Sequence, residues 1–213
     1  MNKIKEIACL HFISQDDVEG RSHPDQILAA CKAGVKWIQF RSKAADRFRI
    51  KREAIEARKI TTDFGCTLII NDFVDMAYEI GAEGVHLGKN DMKIEEARKI
   101  LGNEFVVGAT ANSPEDVERL SHLAVDYIGL GPYRYTTNKK DLAPVLPYTS
   151  LKEIIQLAGL IPVILIGGVI HMDIHDILST GAHGIAVSSA IAKAPSLEGS
   201  CRIFQNEFKE YAV

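Results

Sequence analysis

The second β-like run of the chain ends in side chains suited to binding an anion. This run, Trp37 to Arg41, leads directly into Ser42 and Lys43. Because alternate residues of an extended chain share one side, Gln39, Arg41 and Lys43 face the same way. An arginine supplies a planar fork of N–H donors and a lysine a point charge, so the pair suits a multiply charged anion. A solvated pair of surface charges is the alternative interpretation.

Acidic side chains follow the next two β-like runs. Asn71 and Asp72 end the third run, and Asp91 follows the fourth. Mg2+ at phosphate-processing sites usually takes carboxylate oxygens and leaves other coordination positions to water and phosphate. Either aspartate alone could instead cap a helix. Their occurrence after neighbouring runs, beside cations, favours a metal and diphosphate site.

A second anion site is indicated after the later runs. The segment Gly131 to Lys140 is rich in hydroxyls and cations that can donate hydrogen bonds, although a plain exposed loop would have a similar composition. The seventh run ends in Gly167 and Gly168, and the eighth in Ser188 and Ser189. Backbone amides at these two positions often hold a phosphate in parallel barrels. The pattern therefore suggests transfer between two phosphorylated molecules.

These residues require a scaffold that brings the ends of many strands together. Eight β-like runs alternate with amphipathic helical patterns. The runs are Ala8 to Ile13, Trp37 to Arg41, Thr67 to Asn71, Gly84 to Leu87, Phe105 to Gly108, Tyr127 to Gly129, Pro162 to Ile166 and Gly184 to Val187. Short apolar strands joined by helices need right-handed parallel crossovers, so we predict a single-domain (β/α)8 TIM barrel over residues 1–213. A doubly wound sheet is the rival, but no GxGxxG follows the first run.

Helical periodicity predicts which helix faces are buried. Between Asp46 and Thr62 the helical pattern has its apolar positions at Ile50, Ala54, Ile55 and Ala57. In the helix Ile94 to Leu101 we expect Ala97 and Ile100 to face inward.

Composition limits the class of protein. The 213 residues are 46% hydrophobic and 25% charged, which is typical of a globular protein. The net charge of −3 provides no broad basic field, which argues against nucleic-acid binding. The four cysteines form no CxxC spacing and are interpreted as reduced thiols. No secretory or membrane-spanning apolar run is found, so we expect a cytoplasmic protein.

Several motifs become specific when they are taken in order. They are Gly34-Val-Lys-Trp-Ile-Gln39-Phe-Arg41-Ser-Lys43, Ile70-Asn71-Asp72, Gly84-Val-His-Leu-Gly88 with Asp91, Gly129-Leu-Gly131-Pro132, Ile166-Gly-Gly168 and Ala186-Val-Ser-Ser189-Ala-Ile191. Each motif alone is common, but together they extend over nearly the whole chain. In this order they resemble thiamine phosphate synthase.

The resemblance implies a Mg2+-dependent transferase of thiamine biosynthesis. Such an enzyme joins 4-amino-2-methyl-5-(diphosphooxymethyl)pyrimidine to a (carboxy)methyl-hydroxyethylthiazole phosphate and releases pyrophosphate. The metal and cations would stabilise the departing pyrophosphate while the thiazole nitrogen captures a pyrimidine methylene cation. The partners expected are these two small molecules, without nucleic acid or membrane, and a homodimer is left open.

The resemblance also assigns residues by position. Those implied to contact the pyrimidine diphosphate are Gln39, Phe40, Arg41, Ser42, Lys43, Asn71, Thr110 and Lys139. Those implied to hold the thiazole phosphate are Thr136, Thr137, Asn138, Gly168, Ser188 and Ser189. Asp72 and Asp91 would bind Mg2+, and the catalytic residues would be Arg41, Lys43, Thr110 and Lys139.

Two positions depart from the family's usual pattern. Thr110 stands where a serine is usual, which keeps the hydroxyl and adds a methyl group. Asn138 replaces a hydroxyl with a carboxamide that can still donate a hydrogen bond to phosphate. Two other functions stay open: an isomerase similar to the related thiazole tautomerase, which lacks most of the diphosphate and metal residues, and a barrel that binds thiamine precursors without turnover.

Overall fold

The strands form one closed barrel. A computed structural model of the protein describes residues 6–136 and 143–211. Its strands are β1 (Leu10–Ile13), β2 (Trp37–Phe40), β3 (Thr67–Asn71), β4 (Gly84–Leu87), β5 (Val106–Ala111), β6 (Tyr127–Leu130), β7 (Val163–Ile166) and β8 (Gly184–Val187). Each strand pairs in parallel with the next, and β8 pairs with β1. The predicted (β/α)8 barrel is confirmed, and the doubly wound sheet is excluded.

Helices surround the barrel. They are α1 (His23–Lys32), α2 (Arg47–Asp63), α3 (Val74–Ile80), α4 (Ile94–Leu101), α5 (Pro114–Ser121), α6 (Leu151–Gln156), α7 (Ile174–Ser179), α8 (Ser189–Ala192) and α9 (Leu197–Tyr211). Across the described ranges, none of these helices has the length and apolar character needed to cross a membrane.

Side chains alternate between the barrel interior and the surrounding helices. Ile13, Trp37, Ile69, Tyr127 and Ile164 belong to one buried cluster inside the barrel. A larger cluster, drawn from the opposite faces of the same strands and from the helices, fills the space between the two layers. Successive residues of a strand point to opposite faces, so the inward set continues up each strand towards its carboxyl end. We call the carboxyl ends of the strands the mouth of the barrel.

The deepest part of the interior is aromatic. The His11 ring stacks on Trp37 with their centroids 4.6 Å apart, and Tyr127 meets both rings edge-on. Burial lowers the pKa of His11 to about 3, so its imidazole is neutral at ordinary pH. This packing closes the interior below the mouth.

Strand β5 is longer than the sequence prediction. We expected it to end at Gly108. Pairing with β6 continues through Thr110 and Ala111, whose partners are Gly129 and Leu130. Thr110 is therefore fixed on the strand and is not part of the loop that follows.

One predicted helix contact is wrong. Ile100 is 46% exposed, whereas Ile50, Ala54 and Ala57 of α2 are buried. In α4 the face against the barrel is formed by Ile94, Ala97 and Leu101, and Ile100 lies outside that stripe. Leu101, at the end of α4, is buried on the face where we predicted Ile100.

Candidate active site

The inward residues near the ends of β2 and β3 meet at the mouth. Gln39 and Asn71 are both buried, and the Gln39 side-chain amide donates a 2.8 Å hydrogen bond to Asn71 Oδ1. This contact leaves the Asn71 amide group and the Gln39 carbonyl oxygen free to serve other partners. The two carboxamides therefore form a fixed polar floor beside the charged residues.

A lysine and two carboxylates lie next to this floor. Lys43 Nζ forms an ion pair with Asp72 Oδ2, and Asp72 has a positive φ of 68°. A non-glycine residue in that region is uncommon and often belongs to a functional site. The Gly88 amide donates a 2.6 Å hydrogen bond to Asp91 Oδ2, and a Cβ on Gly88 would lie 2.9 Å from that oxygen. The glycine thus allows Asp91 to approach the backbone.

The two carboxylates repel each other. The pKa of Asp91 is raised, first by burial and then by hydrogen bonding and charge repulsion with Asp72. Lys43 offsets part of this effect. Within the described residues no group of three or more histidine, cysteine or acidic side chains could hold a metal ion. The donor set of two acidic oxygens fits Mg2+, since this ion commonly takes one or two carboxylates and completes its shell with water and phosphate.

Arg41 lies beside this cluster at the end of β2. Its backbone amide donates a 3.2 Å hydrogen bond to Ser14 Oγ. Among the residues that the structure describes, no hydrogen bond or ion pair of its guanidinium is found, and the residue is only partly exposed. A guanidinium with open donors suits a doubly charged phosphate group.

Phe40 lies away from the mouth, where the resemblance implied a contact with the pyrimidine diphosphate. Its side chain is 1% exposed, belongs to the layer between strands and helices, and packs against the His23 ring at 4.9 Å. Strand alternation causes this, because Gln39 and Arg41 on either side of it take the opposite face. The phenyl ring therefore makes no contact at the mouth.

Thr110 is linked to the barrel interior through a histidine. His86 hydrogen-bonds to Thr110 Oγ1 at 2.9 Å through Nε2 and to the Tyr127 hydroxyl at 2.9 Å through Nδ1. Tyr127 is fully buried, and burial raises its pKa. The hydrogen bonds that join these three side chains fix the position and rotamer of Thr110. His86 therefore supports the site from below, as a buried structural histidine hydrogen-bonded on both ring nitrogens.

The segment after β6 is held against the turn after β7. The Tyr133 amide donates to Ile166 O at 2.9 Å, and the Arg134 amide donates to Gly167 O at 2.8 Å. The Arg134 guanidinium also forms a bidentate ion pair with the buried Asp173. Thr136 follows within the described chain, whereas Thr137, Asn138 and Lys139 lie outside the described residues.

The turns after β7 and β8 complete the mouth. Gly168 has a φ of 67°, and a Cβ there would lie 2.8 Å from the Arg134 Cβ. Ser188 Oγ donates to Gln15 Oε1 at 3.2 Å, and Ser189 begins α8. Hydroxyls and backbone amides thus lie opposite the acidic cluster around the ring of strands.

Known proteins similar in sequence to the chain identify its family. Residues 10–191 match the family described as thiamine monophosphate synthase. The chain belongs to this family. A thiamine-phosphate synthase of Bacteroides fragilis is 44% identical over 191 residues, which is 87% of this chain and 93% of the relative. One from Phocaeicola vulgatus is 44% identical over 81% of this chain and 85% of its own.

A solved structure supports the same assignment. Thiamine phosphate pyrophosphorylase from Pyrococcus furiosus superposes with a TM-score of 0.85 at 27% identity, covering 100% of this chain and 98% of its own. Membership in the thiamine monophosphate synthase family confirms the resemblance found in the sequence. It also confirms the expectation of a transferase of thiamine biosynthesis.

The sequence alone did not reveal the residues that support this family site. Ser14 and Asp16 follow β1, and their side chains contact Arg41, Ser42 and Lys43. Asp16 occupies the same kind of position as Asp72, just past a strand end. That position was the one signal that could have identified it.

Loss of the Arg134 side chain should destabilise the barrel. In Arg134→Met the buried Asp173 keeps its hydrogen bond from the Ile170 amide at 2.9 Å but loses its ion-pair partner. Leaving a buried acceptor underpaired costs about 1–3 kcal/mol. Urea unfolding should show a free energy of unfolding reduced by that amount. Adding Asp173→Asn should recover part of the loss, and strictly additive losses would contradict this coupling.

Proposed function

We propose that this protein condenses the pyrimidine diphosphate with the thiazole phosphate and releases pyrophosphate. The observation that carries the proposal is the cluster of Lys43, Asp72 and Asp91 at the same mouth as the glycine and serine turns. Two different anion sites on one ring of strands suit two phosphorylated substrates. The product would be thiamine phosphate.

The diphosphate half of the site contains the cations. We assign the pyrimidine diphosphate to Gln39, Arg41, Lys43, Asn71, Thr110 and Lys139. Asp72 and Asp91 would hold Mg2+, which supplies Lewis-acid stabilisation of pyrophosphate charge when it is bound. Of the assigned side chains, those that the structure describes come from β2, β3 and β5 or the residues that follow them directly. They surround the acidic pair on one side of the mouth.

The chain's own residues act on charge and orientation during the reaction. The bond between the pyrimidine methylene carbon and the diphosphate oxygen breaks, and its electron pair leaves with pyrophosphate. Arg41 and Lys43 offset that developing charge from a site partly shielded from water. The Gln39–Asn71 pair orients the pyrimidine so that its methylene carbon faces the second substrate. The lone pair of the thiazole nitrogen then forms the new carbon–nitrogen bond.

The thiazole phosphate half lies across the mouth. We assign its phosphate to Thr136, Thr137, Asn138, Gly168, Ser188 and Ser189. Backbone N–H groups and hydroxyls donate to phosphate without needing a metal. The close contact between Gly168 and Arg134 supports this assignment, because it fixes the segment that leads into Thr136.

Two rival functions differ in what they require of the site. A thiazole tautomerase-like isomerase needs neither the cations nor the acidic pair. A non-catalytic binder of thiamine precursors needs no fixed Thr110. The Lys43–Asp72 ion pair favours the synthase. A cytoplasmic location is part of the proposal, because the four cysteines are free thiols.

One assay separates the three functions. The purified protein is incubated with both phosphorylated precursors and Mg2+, and thiamine phosphate and pyrophosphate are measured together. The synthase produces both in equal amounts and produces neither when one precursor is omitted. An isomerase converts the thiazole phosphate alone, and a binder forms no product; either result would reject the proposal.

The Thr110 hydroxyl is expected to contribute to turnover. Thr110→Val keeps the shape but removes the oxygen that pairs with His86 at 2.9 Å. The loss of one positioned hydrogen bond of about 1 kcal/mol corresponds to roughly a fivefold lower kcat. Thr110→Ser, the matched control, keeps the oxygen and should stay within about twofold of the unmodified protein. Steady-state kinetics checks this, and equal rates for the valine and serine variants would contradict it.

A further inference from the structure

The connection between β1 and α1 supports the segment that carries the proposed diphosphate cations. We call residues 41–43 the cationic segment. Asp16 accepts a 2.6 Å hydrogen bond from Ser42 Oγ and a 2.7 Å hydrogen bond from the Lys43 amide. Ser14 Oγ accepts a 3.2 Å hydrogen bond from the Arg41 amide. Three consecutive residues are thus attached to two side chains of one loop.

A buried histidine fixes both of those side chains. His23 is 3% exposed at the start of α1, and its Nδ1 lies 2.8 Å from Ser14 Oγ. Its Nε2 lies 3.1 Å from Asp16 Oδ1. With the proton on Nε2, the Ser14 hydroxyl donates to Nδ1 and still accepts from the Arg41 amide. Every donor in this network then meets an acceptor.

The negative charge of Asp16 lies close to the segment proposed to bind a diphosphate, which is also negatively charged. Burial acts to raise the pKa of Asp16, but hydrogen bonds from Ser42, Lys43 and His23 outweigh burial and lower it. The carboxylate is therefore ionised at ordinary pH, and both oxygens point at N–H and O–H groups of the protein. Because its oxygens are already hydrogen-bonded to the protein, the Asp16 carboxylate acts on the cationic segment rather than on the substrate.

Attachment of the backbone decides where the side chains of the segment point. Arg41 and Lys43 flank Ser42, and both project from a chain that is no longer part of a strand. Without Asp16 the Lys43 amide and the Ser42 hydroxyl would lose their partners, and the segment could rotate. The Lys43 ammonium would then leave Asp72, with which it now pairs.

We propose that Asp16 is a positioning residue for the cationic segment, and that it holds Arg41 and Lys43 in the orientation that binds a diphosphate. This proposal rests on the proposed function only for the identity of the anion. The test anion is pyrophosphate, because the diphosphate group is part of the proposed pyrimidine substrate and pyrophosphate is a proposed product. Pyrophosphate binding can therefore be measured without turnover.

The test measures pyrophosphate binding by isothermal titration calorimetry in the presence of Mg2+. Asp16→Asn keeps the side-chain size but directs an amide N–H group towards another donor. We expect its Kd for pyrophosphate to rise about tenfold, as a charge-assisted hydrogen bond is lost. In steady-state assays the KM for the pyrimidine diphosphate should rise similarly, while the KM for the thiazole phosphate stays within about twofold.

A matched control lies next to the same connection, in the first turn of α1. Asp25 also accepts hydrogen bonds from a neighbouring residue, the Ser22 amide at 2.9 Å and hydroxyl at 2.6 Å, but contacts no part of the cationic segment. Asp25→Asn should bind pyrophosphate with an unchanged Kd. If Asp16→Asn does not fold, as judged by circular dichroism, Ser42→Ala removes the 2.6 Å contact with Asp16, together with the 3.3 Å hydrogen bond that Ser42 Oγ accepts from the Ala44 amide, and should weaken binding by about threefold.

The outcomes separate this proposal from the proposed function. Weaker pyrophosphate binding in Asp16→Asn, with the control unchanged, supports the positioning role even if no thiamine phosphate forms. Unchanged binding in Asp16→Asn overturns the positioning role even if the protein is an active synthase. Equal rises in both KM values would also overturn it, because they would show general damage to the mouth.

Discussion

Replacing Asp72 or Asp91 with asparagine is expected to lower kcat by about 100-fold at saturating substrate. Each substitution removes one of the two acidic oxygens proposed for Mg2+ and leaves the ion with a single carboxylate. The loss of roughly 3 kcal/mol of charge stabilisation in the transition state corresponds to about that factor. Steady-state kinetics over a range of Mg2+ concentrations should also show that more metal is needed for half-maximal rate.

A nearby aspartate provides the control for this result. Asp75 lies on α3 close to Asp72 in sequence, with a side chain that is 69% exposed and 3.7 Å from Arg47. Asp75→Asn should keep both the rate and the metal dependence. If Asp72→Asn or Asp91→Asn behaves like this control, the acidic pair does not hold the metal.

Removal of the Arg41 guanidinium should produce the second large loss. Arg41→Ala eliminates a forked donor at the diphosphate half, and the expected fall in kcat/KM for the pyrimidine diphosphate is about 100-fold. Arg41→Lys keeps the positive charge but not the forked N–H donors of the guanidinium. Its kcat/KM should therefore lie between those of Arg41→Ala and the unmodified protein. The kcat/KM ratios of the three proteins, measured with the thiazole phosphate saturating, check this order.

Arg47 is the matched control for the guanidinium. It begins α2, its side chain is 62% exposed, and it packs over the Phe73 ring at 4.8 Å. Arg47→Ala should change kcat/KM by less than about twofold. A comparable loss in both alanine variants would show that general positive charge matters rather than the position at the end of β2.

Much of the fold could be predicted because each strand and helix carries a local signal. Short apolar runs and helical stripes are encoded within a few residues, so the eight strands and their order followed from the sequence. Strand alternation also placed Gln39 and Arg41 together on the inward face. The same rule, applied to Phe40, would have directed its ring to the outer layer, where the structure has it.

The supporting contacts could not be predicted because they join distant parts of the chain. Asp16 contacts a segment 26 and 27 residues away, and Arg134 contacts Asp173 across 39 residues. Nothing in local periodicity indicates which loops meet at the mouth. The end of β5 was missed for a related reason, since its last pairs depend on β6, which lies further along the chain.

We propose that the mouth is divided into a metal-dependent diphosphate half and a phosphate half that needs no metal. Isothermal titration of the pyrimidine diphosphate into the protein, with Mg2+ and then with a chelator instead, tests that division most directly. We predict a Kd at least about tenfold lower with Mg2+, and no such difference in a protein carrying both Asp72→Asn and Asp91→Asn. Equal affinity with and without Mg2+ in the unmodified protein would contradict the account.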